Sequence, residues 1–193
     1  MVAGVPRLAR HPVAALRVAT LASSSTHYCP RMAYELPVID RHGHQLVEVW
    51  HAPEEAIDRF DVPCPLSLVV VRRPDATVLV GLNRWRRTWE LPGGVREHDE
   101  TPRAAAMREL AEEAGLVVPD LEWIGLVRFD LVDPPPREEL AAVYLVDVGA
   151  DAAPTPVDEE MLMLTWLDPD GPLPPDANPL DLAIASWAVQ VDR

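Results

Sequence analysis

Three glutamates lie close together in one stretch of the chain, Glu109, Glu112 and Glu113. On a helix that turns about 100° per residue, Glu113 lies roughly 40° to one side of Glu109 and Glu112 roughly 60° to the other, so all three share a face. Carboxylates this close repel one another unless a cation lies between them. Oxygen ligands of this type favour hard cations, so the pattern predicts a site for Mg²⁺ or Mn²⁺.

The residues around the glutamates predict the helix that carries them. Thr101 suits the N-cap, Pro102 suits the first helical position, and Gly115 can adopt the left-handed conformation that ends a helix. The face opposite the glutamates is apolar and predicts docking on a sheet. Its residues are Met107, Leu110, Ala111 and Ala114.

A solvated, charge-rich helix face would explain the three glutamates if they stood alone. However, Gly94 is followed after five residues by Glu100, and after seven more by the run Arg-Glu-Leu-Ala-Glu-Glu-Ala-Gly-Leu that ends at Leu116. The run Trp-Glu-Leu-Pro-Gly-Gly, which begins at Trp89, leads into this pattern and ends at Gly94. This pattern from Gly94 to Leu116 resembles the full signature of the Nudix hydrolase family, and its MutT-like members in particular.

The resemblance implies a metal-dependent hydrolase that cleaves a phosphoanhydride bond. It implies Glu112 and Glu113 as the principal Mg²⁺ or Mn²⁺ ligands, with Glu109 as a further ligand or as the base that activates water. The backbone carbonyl of Gly93 or Gly94 would complete the metal shell.

Further roles follow from the same resemblance. Arg108 would hold a glutamate in position, and Glu100, with Gly93, would support the loop. Some relatives take the catalytic base from a later loop instead, which leaves four alternatives open: Glu138, Glu139, Glu159 and Glu160.

Candidates for substrate binding lie just before the motif. Arg84, Arg86 and Arg87 could bind a phosphate, or they could be ordinary surface charges. Trp85 and Trp89 could stack on a nucleobase, although Trp89 could equally pack beneath the glycine turn. A nucleoside triphosphate, including oxidised ones, is the favoured substrate. The alternatives are ADP-ribose, a nucleotide sugar, or a nucleotide sensor without catalysis.

Composition and charge narrow the class of protein. The chain has 193 residues, of which 48% are hydrophobic, and a net charge of -14. This charge argues against a nucleic-acid polymer as partner and is compatible with a small nucleotide if a cation screens the contact. Cys29 and Cys64 are predicted to be incidental reduced thiols, and no membrane association is expected. We therefore expect a cytoplasmic protein, with a homodimer as one option.

The pattern of elements predicts one domain. Residues 1–34 carry arginines and no acid, which predicts a disordered basic extension or a start codon assigned too early. Residues 35–193 are predicted to form the Nudix domain, with a strand region at 35–64 and the core at 65–193. Strands that alternate with two substantial helices favour an α/β fold, an α/β/α sandwich around a mixed β-sheet.

Overall fold

The computed structural model of the protein describes residues 34–191. Within them, strands and two α-helices alternate along the chain, with one 3₁₀-helix at Glu54–Arg59. The strands are β1 (Val38–Ile39), β2 (Gln45–Trp50), β3 (Leu66–Arg72), β4 (Val78–Asn83), β5 (Trp89–Glu90), β6 (Gly93–Val95), β7 (Glu122–Leu131), β8 (Arg137–Asp147) and β9 (Met161–Leu167). The helices are α1 (Pro102–Ala114) and α2 (Pro179–Val191).

All the strands join one mixed sheet in the order β1-β2-β7-β8-β3-β4-β5. Strand β6 pairs with β3, and β9 pairs with β4. The pairing of β3 with β8 is parallel, with Leu66 opposite Ala141, whereas the other pairings within the sheet are antiparallel. Strand β3 is therefore central and lies where the parallel and antiparallel parts of the sheet meet.

Residues of β3 alternate between two hydrophobic cores, one on each face of the sheet. Leu68 and Val70 belong to the core that packs against α2. Val69 and Val71 belong to the core beneath α1, and these two valines are fully buried. Burial on both faces explains why β3 is a continuous apolar run. The predicted α/β/α sandwich with a mixed sheet is confirmed.

Helix α1 begins and ends where its sequence signals predicted. The Thr101 hydroxyl accepts a hydrogen bond from the Ala104 amide at 3.2 Å. At the other end, Gly115 has φ +65° and its amide donates to the Ala111 carbonyl at 3.1 Å. Because both ends are defined, the rotation of α1 about its axis, and with it the direction of its glutamates, is fixed against the sheet.

The structure departs from the expected pattern around β3 and β4. Strands β3 and β4 form a hairpin in which Arg72 opposite Val78 is the one paired position of the described ladder. Two short strands that sequence periodicity did not reveal pair with the rest of β3 and β4. Strand β6 pairs with Leu66–Leu68, and β5 pairs with Gly81 and Leu82. Strands of two or three residues are too short to show an alternating pattern.

Two expectations concern residues at the N-terminus. The predicted disordered extension, residues 1–34, and Cys29 lie outside the described residues except for Tyr34.

Among residues 34–191, no helix has both the length and the apolar character needed to cross a bilayer.

The left-handed end of α1 gives a stability prediction. In Gly115→Ala, an alanine would be held at φ +65°, and its Cβ would lie 2.8 Å from the Thr155 carbonyl oxygen. We expect the free energy of unfolding to fall by about 1–3 kcal/mol in urea titrations. Gly149→Ala is the control, since Gly149 lacks a left-handed φ and its new Cβ meets the flexible Asp151 side chain. Equal stability of the two variants would contradict a strained helix end.

Candidate active site

Glu113 is the buried member of the glutamate cluster, with 1% of its surface exposed. Its Oε2 accepts a hydrogen bond from the Gly93 amide at 2.8 Å. Burial raises the pKa of Glu113 to about 9; the Gly93 amide opposes this rise, and the negative charges of Glu109, Glu160 and Asp158 add to it. Without a cation nearby, Glu113 is therefore protonated at neutral pH.

The two glycines of β6 allow the strand to lie against the glutamates of α1. Gly93 has φ +150°, a conformation that other residues rarely adopt. A Cβ on Gly94 would collide with the Glu109 carboxylate. Because β6 also pairs with β3, the carboxylates are held at the edge of the central strand.

Arg108 contacts the other two carboxylates of the cluster and the loop before α1. Its Nη1 donates to Glu109 at 2.8 Å and to Glu112 at 3.1 Å. Its Nε and Nη2 both donate to Glu100 at 3.0 Å, and this guanidinium lowers the pKa of the Glu100 carboxyl. Glu100 thus links the loop to α1. The guanidinium of Arg108 neutralises part of the negative charge of Glu109 and Glu112, as a metal cation beside them could also do.

The donor set suits a hard divalent cation, although Glu109 and Glu112 now face Arg108. In the described part of the chain, no group of three or more His, Cys, Asp or Glu side chains has the arrangement of a metal site. The chemistry of the donors nevertheless fits, because Glu113 is a buried carboxyl near other negative charges, and its one hydrogen bond within residues 34–191 comes from a neutral amide. Glu109, Glu112 and Glu113 are the side chains that could hold the ion, and Gly94 lies against the Glu109 carboxylate.

The loop that follows β8 adds a fourth carboxylate, Glu160. The loop is fixed on the end of α1, because the amides of Val157 and Asp158 donate to the Glu112 carbonyl at 3.3 and 3.1 Å. Glu160 Oε1 accepts from Asn83 Nδ2 at 3.0 Å and from Arg86 Nη2 at 3.4 Å. The negative charge of Glu160 raises the pKa of both Glu109 and Glu113, so Glu160 lies close to the cluster.

The other three glutamates considered as alternative bases lie apart from the cluster. Glu138 pairs with Arg128 at 3.3 Å, and Glu139 pairs with Arg137 at 2.6 Å, both on β8. Glu159 is exposed and contributes its backbone carbonyl to a contact. Only Glu160 of the four lines the cleft formed by the described residues.

A cleft of about 860 Å³ opens beside the glutamate cluster. Its lining near the cluster includes Gly93, Gly94, Glu109 and Glu160, and the loop before α2 lines it as well. The floor is apolar and comes from neighbouring parts of the sheet: Leu66, Leu68, Phe129 and Leu131. The cleft therefore combines charged groups with an apolar surface.

Asn178 and Asp181 supply polar groups to the cleft that the sequence interpretation missed. Asp181 Oδ2 accepts from the Leu91 amide at 2.9 Å, and Oδ1 accepts from Asn178 Nδ2 at 3.1 Å. Burial, and then the negative charge of Glu90, raises the pKa of Asp181 to about 7. The signal available in the sequence was a single acid in the otherwise apolar start of α2.

Four of the five residues considered for substrate binding lie outside this cleft. Arg84 donates from Nε to the Glu159 carbonyl at 2.6 Å, and Trp85 is 65% exposed. Arg87 is exposed on the same turn. Trp89 packs against the core beneath α2, and its backbone binds the loop at Asp176 and Asn178. Their substrate role stays a prediction.

Another arginine of that turn, Arg86, does line the cleft. Its Nε donates to both oxygens of Glu90, at 2.8 and 2.9 Å, and its Nη2 lies 3.4 Å from Glu160. Arg86 therefore connects Glu160, beside the glutamate cluster, to Glu90 on β5. Its positive charge is balanced by these two carboxylates.

The raised pKa of Asp181 gives a pH prediction. The folded state retains the proton that the unfolded state loses near 3.8, so this group stabilises the fold below about pH 4 and loses that contribution as the pH rises through about 7. Between about pH 4.5 and about pH 8, we expect this effect to lower the free energy of unfolding by at most about 3 kcal/mol. Asp181→Asn should show a smaller pH difference in urea titrations than the wild type.

Asp61→Asn, which changes an exposed carboxyl, serves as the control and should retain the wild-type pH difference. The same pH difference in Asp181→Asn and in the wild type would contradict a perturbed Asp181.

The chain is similar in sequence to known proteins. The chain is 35% identical over 101 residues to a MutT-like protein from Streptomyces ambofaciens, a match that covers 52% of this chain and 61% of the relative. It is 32% identical over 108 residues to the oxidized purine nucleoside triphosphate hydrolase of Danio rerio, which covers 54% and 66% of the two chains. The matches thus span less than two thirds of either relative.

A solved structure shares the fold. The MutT NUDIX hydrolase from Burkholderia pseudomallei superposes with a TM-score of 0.56 at 23% identity, covering 67% of this chain and 99% of that one. The family model of the NUDIX domain matches residues 64–188, which is more than half of the chain and includes α1, β6 and both core faces. The chain therefore belongs to the NUDIX domain family.

Proposed function

We propose that this protein is a divalent-metal-dependent hydrolase that cleaves a phosphoanhydride bond of nucleoside triphosphates, including oxidised purine nucleotides. The observation that carries the proposal is the cleft of about 860 Å³, whose volume lies within the range typical of small-molecule sites. It places an anionic, metal-suited wall beside an apolar floor. A nucleotide has the matching polarity, with a polyphosphate at one end and a flat base at the other.

The glutamate cluster supports the hydrolytic part of the proposal. A Mg²⁺ or Mn²⁺ ion held by Glu109, Glu112 and Glu113 would polarise phosphate oxygens and lower the pKa of a water molecule. Arg108 would then keep its contact with Glu100 and position the glutamates. In an acidic protein the same ion offsets the repulsion between the carboxylates and the substrate phosphates.

Two glutamates remain as candidates for the general base. Glu109 and Glu160 both line the cleft. Either could accept the proton as a water oxygen attacks phosphorus and the bond from that phosphorus to the leaving phosphate oxygen breaks. Burial raises the pKa of Glu109, which makes this carboxylate a stronger proton acceptor than an ordinary exposed carboxylate. We therefore favour Glu109 as the base, in which case Glu112 and Glu113 would be the principal ligands of the ion.

The substrate class rests on the cleft and on the relatives. Asn178 and the protonated form of Asp181 provide hydrogen-bonding groups for the edge of a base above the apolar floor. The Danio rerio relative is named for oxidized purine nucleoside triphosphates. A base that carries an added oxygen and an added N–H would find both an acceptor and a donor on this wall.

A substrate screen tests the proposal. The purified full chain would be assayed with Mg²⁺ and Mn²⁺ against nucleoside triphosphates, oxidised guanine nucleotides, ADP-ribose and nucleotide sugars. We expect release of a nucleoside monophosphate and pyrophosphate, loss of turnover with EDTA, and recovery with Mg²⁺. A preference for ADP-ribose or a nucleotide sugar would replace the proposed substrate, and nucleotide binding without any hydrolysis would indicate a sensor.

Glu113→Gln tests the cluster itself. We expect turnover to fall by at least about 100-fold, because a neutral amide cannot serve as an anionic metal ligand. The fold should persist, because Glu113 is protonated without metal and glutamine can still accept the Gly93 hydrogen bond. Steady-state kinetics and thermal unfolding of the metal-free protein would measure the two effects.

Glu55→Gln is the matched control, since Glu55 is exposed on the 3₁₀-helix and lies outside the cleft. It makes the same chemical change and should retain wild-type turnover. Undiminished turnover in Glu113→Gln would exclude Glu113 as a metal ligand.

A further inference from the structure

The turn between β1 and β2, residues Asp40–His44, forms part of the cleft although it precedes the matched domain. The family model begins at residue 64, whereas Asp40, Arg41, His42 and His44 line the cleft together with residues of the domain. This protein therefore adds a wall to the site from a segment outside residues 64–188.

The turn is held in one conformation by its own hydrogen bonds. Asp40 Oδ1 accepts from the amides of His42 at 2.8 Å and His44 at 2.9 Å. The Gly43 amide donates to the Asp40 carbonyl at 3.2 Å. On the other side, His44 Nε2 lies 3.4 Å from Asp133, and His44 Nδ1 accepts from the Val132 amide. The turn is thus tied to the end of β7 and is preorganised.

Arg41 connects this turn to the glutamate side of the cleft. Its Nη2 donates to the Arg86 carbonyl at 2.6 Å, and its Nε donates to His42 Nε2 at 3.1 Å. The side chain of Arg86 in turn lies 3.4 Å from Glu160. Two nitrogens of the Arg41 guanidinium are therefore fixed, and the third, Nη1, has no protein acceptor among the described residues.

Arg41 also differs from Arg86, the other arginine in the cleft, in the groups that surround its positive charge. Arg86 is neutralised by Glu90 and Glu160. Of the two arginines that line the cleft in residues 34–191, Arg41 is the one without a carboxylate partner. An exposed guanidinium that is positioned, charged and unpaired, in a cleft otherwise rich in carboxylates, is suited to bind an anion.

We propose that Arg41 binds a phosphate group of the nucleotide, and that the β1–β2 turn is a substrate-binding element which this protein adds to the NUDIX domain. The inference rests on the proposed function, since it takes a nucleotide as the occupant of the cleft. Phosphate is favoured over the base because the guanidinium of Arg41 is cationic, and because it contacts the carbonyl of Arg86, whose side chain lies 3.4 Å from Glu160. His42 is a positioning residue that orients the guanidinium.

Equilibrium binding measures this contact without turnover. Isothermal titration of the full chain in Mg²⁺ would use three probes: guanosine monophosphate, inorganic pyrophosphate, and guanosine, which has no phosphate. We expect Arg41→Ala to weaken binding of a phosphate-bearing probe by roughly tenfold and binding of guanosine by less than about twofold. Arg41→Lys should restore part of the loss, because it retains the charge without the planar fork.

Arg59→Ala is the matched control, because it removes an exposed arginine from the 3₁₀-helix, outside the cleft. It should leave all three affinities unchanged. A loss confined to guanosine monophosphate places the contact on the nucleoside side of the scissile bond, and a loss confined to pyrophosphate places it on the leaving side. Either result supports the inference.

Three results would overturn it. These are unchanged affinity in Arg41→Ala, an equal loss for guanosine and its monophosphate, or no binding of either phosphate probe by the wild type. The proposed function fails separately: if Arg41→Ala loses phosphate affinity but the wild type hydrolyses no nucleotide, the phosphate contact stands and the hydrolytic activity does not.

Discussion

The burial of the Glu113 carboxyl between α1 and β6 is the constraint on which the site depends. Within the described structure its one hydrogen bond comes from the Gly93 amide, while Arg108 is directed at Glu100, Glu109 and Glu112. An ionised carboxylate in this place is costly without a cation, so the group is either protonated or bound to metal. The glycines of β6 and the defined ends of α1 serve to create this unfavourable position, which is typical of functional sites.

The mixed sheet determines where the cleft opens. Strand β3 is fully covered along its middle by α1 on one face and α2 on the other, whereas its first residues, Leu66 and Leu68, also contribute to the cleft floor. Short β6 pairs there and brings the glutamates of α1 to the same edge. The backbone of Trp89 holds the loop before α2. The packed core and the lining of the cleft are therefore continuous.

The walls of the cleft differ in origin. The part of the lining that carries Glu109 and the part that carries Asn178 both lie within residues 64–188, which the NUDIX family model matches. The turn at Arg41 lies before these residues. Loops carried by a rigid scaffold can change their contacts without loss of the core. If the proposed function holds, such a division would let the common part of the chain perform the chemistry while the turn at Arg41 contributes to the choice of substrate.

The amino-acid sequence was sufficient for α1, its caps, the spacing of its glutamates and the alternation of strands and helices, because these are properties of neighbouring residues. It did not reveal the short strands β5 and β6 or the cleft position of Asp181 and Arg41. It also left Glu160 as one of four alternatives and did not distinguish Arg86, which lines the cleft, from Arg84 and Arg87, which do not. These groups meet through sheet order and loop closure over separations as long as that between Asn83 and Glu160. Only tertiary packing decides such meetings, since the free energy that holds them comes from burial and hydrogen bonds between segments distant in the chain.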